Sequence, residues 1–416
     1  MTQLHRTAAI LSIGDEITLG QKLDTNSKWL ADRLTNLGVT VSIKMTVPDD
    51  LPSLAARFAE LANAHDLVLS TGGLGPTADD LTRHALGRAM GDEVVEDAEA
   101  LKQLLEWFEG LGKPMPNANR VQAMRPSSAT CLPNEKGTAP GLHAAFSGAD
   151  VFCMPGPPRE MHPMFERFVV PRLKTDRVVM TRVLPTVGLG ESAIADRLGE
   201  LMDRERNPLV GTTASASIVT CRIRYEGNDQ SEGQRLLDET VAKVRDKIGD
   251  IVFADHDAPL AEVVLDQLNE RQAKLATVES CTGGLIGEML TGVPGSSGVY
   301  VGGWVTYTNE MKSSQVGVPA DIFKQHGAVS EECCRAMAEG GRERSGADYA
   351  ISLTGVAGPG GGSEVKPVGT VWIGLAAPGG TRAERFYFKG DRGLVRQRSA
   401  TAALAMLWKA LKEQRA

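Results

Sequence analysis

Between residues 8 and 71, short apolar runs alternate with stretches of helical period, and this alternation limits the fold more than any other feature. Residues 8–13 (AAILSI) read as a buried strand, and Gly14, Asp15 and Glu16 follow as a loop. Residues 26–37 (NSKWLADRLTNL) place apolar side chains at helical spacing, with Gly38 as a stop. Residues 39–47 read as a second strand, 51–64 as a second helix and 66–71 (DLVLST) as a third strand. That order implies an α/β domain, a doubly wound parallel sheet with right-handed crossovers. Such sheets bind ligands outside the carboxyl ends of their strands.

The third strand runs into T-G-G-L-G-P-T-A-D-D-L-T, residues 71–82. Gly72, Gly73 and Gly75 let backbone amides face a phosphate. A helix is expected to start near Thr77, whose hydroxyl can cap it, and its free amides favour an anion. Asp79 and Asp80 then fall in the first turn. One reading has them only complement the helix dipole, at about 0.3–1 kcal/mol each. The other has them hold a divalent metal, because carboxylates beside a phosphate repel it unless a hard cation bridges the two.

At these residues the chain resembles a known family. The segments I-G-D-E-I-T-L-G (13–20), T-N-S (25–27), the 71–82 loop, N-E-K-G-T-A-P-G (134–141) and M-P-G-P-P-R-E-M (154–161) look like the N-terminal domain of CinA proteins. That domain is related to the molybdopterin-binding fold of MoaB and MogA. The resemblance implies hydrolysis of ADP-ribose to AMP and ribose 5-phosphate with a divalent cation, Mg²⁺ being the expected one. Glu16, Asn26, Asp79 and Asp80 sit in the matching polar motifs. So do Lys136 and Thr138, and Lys136 is either a phosphate partner or a solvated loop lysine. Glu160 follows a P-G-P-P turn and reads equally well as a helix-start acid.

At 416 residues the chain is too long for one ordinary core. We divide it into 1–172, a molybdopterin-binding-like domain; 173–254, a small α+β linker; and 255–416, a C-terminal α/β domain. The net charge of −7 and the lack of a long basic run argue against a nucleic-acid backbone as main ligand. The six cysteines show no metal-binding spacing and read as reduced thiols of a cytoplasmic protein. No signal peptide or membrane-spanning run is expected.

In the middle, 177–185 and 217–225 read as strands, and 190–203 and 231–248 as helices. The matching region of CinA proteins is similar to a KH-type domain. No convincing G-x-x-G clamp is present, so a spacer or dimer role is expected instead of RNA binding.

The C-terminal part carries the sharper chemistry. Residues 274–279 (KLATVE) read as a strand with Ser280 and Cys281 at its end. Thr282, Gly283 and Gly284 then open a helix. A hydroxyl at such a turn is either a nucleophile served by helix-start amides or simply a helix cap. Residues 299–306 read as a strand leading to Tyr307, Asn309 and Lys312. Residues 348–354 form another, running into G-V-A-G-P-G-G-G. If these strands are neighbours, Ser280, Tyr307 with Lys312, and Thr354 converge. His326 lies in an ordinary helix-to-turn context, so a lysine is the better base, its pKa lowered by burial. Tyr307 is expected to relay the proton or hold Lys312. Cys281 is the rival nucleophile, but adjacent strand-end residues point opposite ways.

V-E-S-C-T-G-G (278–284), P-G-S-S (294–297), G-G-W-V-T-Y-T-N-E-M-K (302–312), G-A-V-S-E-E (327–332) and T-G-V-A-G-P-G-G (354–361) resemble the CinA C-terminal domain, also found alone as PncC. The resemblance implies conversion of nicotinamide mononucleotide (NMN) to nicotinic acid mononucleotide and ammonia, without a cofactor. It implies a Ser–Tyr–Lys arrangement at Ser280, Tyr307 and Lys312, with Thr354 and a glycine loop including Gly355 and Gly358 as the substrate-binding segment. Arg392 and Arg396, four residues apart on the last helix, are candidate phosphate partners or a solvated face. The whole reading is a bifunctional, homodimeric enzyme of pyridine-nucleotide recycling. Its rivals are an N-terminal domain that only binds a pterin or nucleotide, and a competence or recombination accessory protein.

Overall fold

The computed structural model describes residues 4–215 and 217–414. The chain folds as two compact units: one takes the residues up to 180 together with 225–234, the other 181–224 and the residues from 235 on.

The first unit is built on a six-stranded sheet. Its order is Thr40–Val47, Thr7–Ile13, Leu67–Thr71, Ala149–Met154, Gly141–Phe146 and Thr130–Leu132. The first four strands are parallel, and Gly141–Phe146 runs antiparallel to both of its neighbours. Ala9, Leu11 and Ile13 join one apolar cluster with Phe58 and Leu61 of the helix Leu51–Ala64. Ala8 and Ile10 join another with Leu30 and Leu34 of the helix Thr25–Asn36. Alternate residues of one strand therefore feed cores on opposite faces, which is why that run is apolar throughout. All three parallel strands and both helices expected over residues 8–71 are present. The helix after residue 71 differs: it is Thr82–Met90, with Leu81 at its N-cap and no capping side chain. Thr77 and the two aspartates belong to the turn before it.

The middle stretch forms a three-stranded sheet in the order Leu209–Ser215, Ile218–Gly227, Val178–Val187. The helix Glu191–Leu198 ends at Gly199, and a 3₁₀ turn, Gly199–Met202, completes the expected 190–203 segment.

The second unit carries a five-stranded sheet. Its order is Tyr300–Val305, Leu275–Glu279, Tyr349–Gly355, Thr370–Ala377 and Gly380–Tyr387. The first three strands are parallel and neighbouring, so the polar ends at Ser280, Tyr307 and Thr354 lie side by side. The helices Leu260–Glu270 and Arg392–Glu413 contribute to one large apolar cluster, with Leu265, Leu275, Ile351, Leu404 and Trp408 among its members. The helix after Ser280 is Leu285–Thr291, three residues later than expected. None of the cysteines is in a disulfide. Among the described residues no helix is long and apolar enough to cross a membrane.

Candidate active site

Ser280 follows directly on the strand Leu275–Glu279, with its amide donating to Leu353 of the neighbouring strand at 3.1 Å. Its carbonyl accepts from Gly283 at 3.2 Å, which closes the turn tightly. Gly283 and Gly284 have φ of +63° and +95°, a left-handed region that glycine enters without strain. Lys312 comes from the helix Asn309–Val316, whose start is capped by Thr308. The lysine is only 2 % exposed. Its Nζ lies 3.1 Å from Ser280 Oγ, 2.8 Å from the Thr306 carbonyl and 3.5 Å from the Tyr307 carbonyl. Burial pushes the Lys312 amine below the ordinary lysine range.

The geometry corrects several expected roles around this pair. The Tyr307 side chain is 58 % exposed, and its hydroxyl accepts from Arg392 Nη2 at 3.0 Å. It is therefore not the relay to Lys312; only the Tyr307 carbonyl approaches that amine. Thr354 is buried at the adjacent strand end, but its hydroxyl donates to the Ala328 carbonyl at 2.7 Å, away from the Ser–Lys pair. Asn309 is exposed in the first turn of its helix. Arg392 also donates to the Gly358 carbonyl at 2.8 Å, and Arg396 Nη2 to the Thr282 carbonyl at 2.6 Å. Both arginines thus tie the glycine segments together and are not a free solvated face. Gly355 has no room for a side chain, since a Cβ would meet Val371. The Thr282 hydroxyl is buried with no hydrogen-bond partner. Cys281 points into the apolar cluster, and burial pushes its thiol up to about 11. At neutral pH it is a protonated core residue.

Glu279 also changes the expected chemistry. It is 1 % exposed, and its carboxylate accepts from the amides of Gly284, Ile286 and Gly287 at 2.9, 3.1 and 2.9 Å. Those helix-start amides are consumed and are not free to stabilise an oxyanion.

The second candidate site is a cavity of about 600 Å³ at the carboxyl ends of the parallel strands of the first unit. Its lining includes Glu16, Asn26, Gly72, Gly73, Gly75, Thr77, Asp79, Asp80 and Thr138. Asn26 donates to Thr71 Oγ1 at 2.9 Å and to the Gly156 carbonyl at 2.7 Å, pinning two strand ends. Lys136 is exposed and lies outside that lining; Lys22 is a cation that does line it. Thr77 caps no helix: its amide and hydroxyl both donate to Asp80. A Cβ on Gly72 would overlap the Ile13 carbonyl, and one on Gly73 would overlap Thr82 Oγ1. These glycines answer to internal packing.

Asp79, Asp80 and Glu16 do not form a ready metal site. Both Asp80 oxygens accept from the loop, and Asp79 is exposed on the turn. Among the described residues no group of three or more His, Cys, Asp or Glu is gathered to hold a metal. The cavity is nevertheless acidic. Burial raises the Asp49 carboxyl, with Asp15, Asp79 and Glu16 adding to the rise.

Residues 257–411 match the family model described as CinA C-terminal domain, 9–175 that of a probable molybdopterin binding domain, and 181–254 that of the damage-inducible protein CinA KH domain. A putative competence-damage inducible protein of Symbiobacterium thermophilum is 41% identical over 415 residues, covering 96% of this chain and 97% of its own. The chain belongs to the CinA family. A CinA-like protein of Geobacter metallireducens is 42% identical over 405 residues, covering 96% of this chain and 97% of its own. Among solved structures, the competence/damage inducible protein CihA of Agrobacterium tumefaciens is 40% identical over 37% of this chain and 93% of its own, with a TM-score of 0.36.

In this CinA chain three polar residues near the two sites were not singled out in the sequence: Glu279, Asp49 and Arg83. Glu279 reads as the last residue of a strand, and nothing local says that its carboxylate turns back onto the next helix. Arg83 is 1 % exposed and donates to the Leu74 and Gly75 carbonyls at 2.6 and 3.2 Å. In the sequence it is one arginine among many. The only signal was its place directly after the glycine motif.

Proposed function

We propose that the C-terminal domain is a serine–lysine amidohydrolase that deamidates NMN to nicotinic acid mononucleotide and ammonia. The buried Lys312 amine 3.1 Å from Ser280 Oγ carries the chemical part of this reading. A neutral Lys312 takes the Ser280 proton as the hydroxyl oxygen attacks the carboxamide carbon. The same amine returns that proton to the departing nitrogen, and ammonia leaves an acyl ester on Ser280. Water, deprotonated by Lys312, then hydrolyses the ester and regenerates the serine. The family resemblance supplies the choice of NMN, and the guanidinium groups of Arg392 and Arg396 near the glycine segments suit its phosphate.

For the N-terminal domain the proposal is hydrolysis of ADP-ribose to AMP and ribose 5-phosphate, assisted by a divalent ion. The acidic cavity supports the need for a cation, since a diphosphate entering it meets like charge. The committed oxygens of Asp80 favour the second reading, a domain that binds a phosphorylated pterin or nucleotide without turnover. Homodimerisation is part of the proposal and rests on the resemblance.

The deciding experiment measures ammonia release from NMN and AMP release from ADP-ribose on the same preparation. Ser280→Ala is expected to lower the first by at least about 10³-fold, as for removal of a nucleophile acting within a unit, and to leave the second unchanged. Cys281→Ala should keep both. Loss of ammonia release in Cys281→Ala with full activity in Ser280→Ala would transfer the nucleophile to the thiol. ADP-ribose that stays intact in the wild type would leave the N-terminal domain a binding module.

A further inference from the structure

We infer that Asp80 and Arg83 are positioning residues that build the glycine loop of the N-terminal domain from within, and that Asp80 is not a metal ligand. The functional half of this inference rests on the proposal that the cavity takes a phosphate-bearing ligand.

The loop carries its own anion. Asp80 Oδ1 accepts from the Gly75 amide at 2.7 Å, and Oδ2 accepts from the Thr77 amide at 2.8 Å and from the Thr77 hydroxyl. A Cβ on Gly75 would overlap Asp80 Oδ2, so position 75 is glycine to admit this carboxylate. The amides of Gly75 and Thr77 are spent on Asp80 and are not offered to a ligand phosphate. The Arg83 guanidinium, 1 % exposed, donates to the Leu74 and Gly75 carbonyls, so the Leu74–Gly75 peptide is held at its amide by Asp80 and at its carbonyl by Arg83. Burial lowers this guanidinium to about 10, and the Asp80 charge opposes the fall. The loop is thus gripped by its amides from an anion and by its carbonyls from a cation. Each of these charges satisfies groups that would otherwise be orphaned.

The second glycine loop shares one part of this arrangement, a carboxylate packed against a glycine. Glu160 is buried, accepts from Asn134 Nδ2 at 2.8 Å, and sits where a Cβ on Gly137 would be. Asp79 makes a useful contrast: it neighbours Asp80 in sequence but lies exposed on the turn. Two adjacent aspartates that look equivalent in sequence therefore differ in role: Asp80 takes the Gly75 and Thr77 amides, whereas exposed Asp79 engages the Thr77 side chain, which lowers its carboxyl pKa.

The test uses the full chain and the variants Asp80→Asn, Arg83→Met, Arg83→Lys and Asp79→Asn. Amide hydrogen exchange is read over residues 72–82, and Mn²⁺ and inorganic pyrophosphate are titrated separately. An asparagine at position 80 turns a donor toward one of the two amides. Exchange over 72–82 should quicken by about tenfold or more in Asp80→Asn and in both Arg83 variants, the loss of charge-assisted hydrogen bonds being of that order. Pyrophosphate affinity should fall in the same three, while Mn²⁺ affinity in Asp80→Asn stays within about twofold of wild type, since no metal contact is removed. Asp79→Asn should leave exchange unchanged. The inference is overturned if Asp80→Asn weakens Mn²⁺ about tenfold or more with loop exchange unaltered, the signature of a lost ligand. If the wild type binds no pyrophosphate, the phosphate reading of the cavity fails, and the exchange data still decide the bracing role. Should Arg83→Met not fold, Arg83→Lys keeps the charge but not the paired donors and serves in its place.

Discussion

Two carbonyl oxygens and one hydroxyl surround the Lys312 amine, and that set decides which protonation state is productive. An ammonium has three protons and would donate to all three, leaving Ser280 an acceptor with nothing to take its proton. A neutral amine donates to the Thr306 and Tyr307 carbonyls and keeps its lone pair for the Ser280 hydroxyl. Burial favours the neutral form. The kcat/KM for NMN should therefore rise with pH through an acid limb lying below about 10.4, the ordinary lysine value. Lys312→Met should remove most of the turnover. The same shift has a stability sign. Between the lowered folded pKa and the ordinary value, the unfolded chain binds more protons, so unfolding free energy rises with pH across that window. Urea unfolding at several pH values should show this slope in the wild type and a flatter one in Lys312→Met. An unchanged slope would mean that Lys312 is not the group that titrates. Tyr307→Phe removes only the contact to Arg392, so it should raise KM more than it lowers kcat; a large fall in kcat alone would restore the relay role.

At the scale of elements, strands were easy to read and helix starts were not. The run 8–13 is buried on both faces, and the helices at 26–37 and 51–64 show their inner stripe plainly, so burial wrote these elements into the sequence. The helices after 71 and after 280 begin later than expected, at Thr82 and Leu285. Both misses have one cause. In the sequence Thr77 stands as a cap and Ser280 as a cap or a nucleophile, whereas in the structure a carboxylate engages the amides around each turn: Asp80 from just before its helix, Glu279 from the end of the preceding strand. The parallel neighbours that bring Ser280 and Lys312 together could be stated in the sequence only as a condition, because strand order is a long-range property. Glu279 gives the prediction at this scale. Glu279→Ala leaves one buried and two part-buried amides without an acceptor, the buried one costing about 1–3 kcal/mol and the other two less as water reaches them. The variant should be destabilised by about 2–4 kcal/mol, the range for breaking a buried network, and should lose deamidation as the Ser280 turn loosens. Wild-type stability in chemical unfolding would show that the cap is dispensable.

For the molecule as a whole, the two candidate sites call for opposite electrostatic help, and metal removal separates them. The N-terminal cavity is lined by Glu16, Asp24, Asp49, Asp79 and Glu160, with Lys22 also in its wall. A diphosphate there is repelled by fixed carboxylates and already carries negative charge that opposes attack by water. A divalent ion offsets both effects. In the proposed deamidation the C-terminal site attacks a neutral carboxamide, and the reaction draws on its own groups: a hydroxyl, a buried amine and two guanidinium groups around the glycine segments. EDTA should therefore stop AMP release from ADP-ribose and leave ammonia release from NMN unchanged, and Mg²⁺ should restore the first. Since Asp80 is tied into its loop, Asp80→Asn should not mimic EDTA cleanly. Its residual ADP-ribose activity should still respond to added Mg²⁺ at the wild-type concentration, with the defect residing in substrate affinity. A Mg²⁺ requirement shifted to much higher concentration in that variant would return Asp80 to the metal. Ammonia release silenced by EDTA would remove the metal-free serine–lysine mechanism, because nothing in that mechanism depends on a chelatable ion.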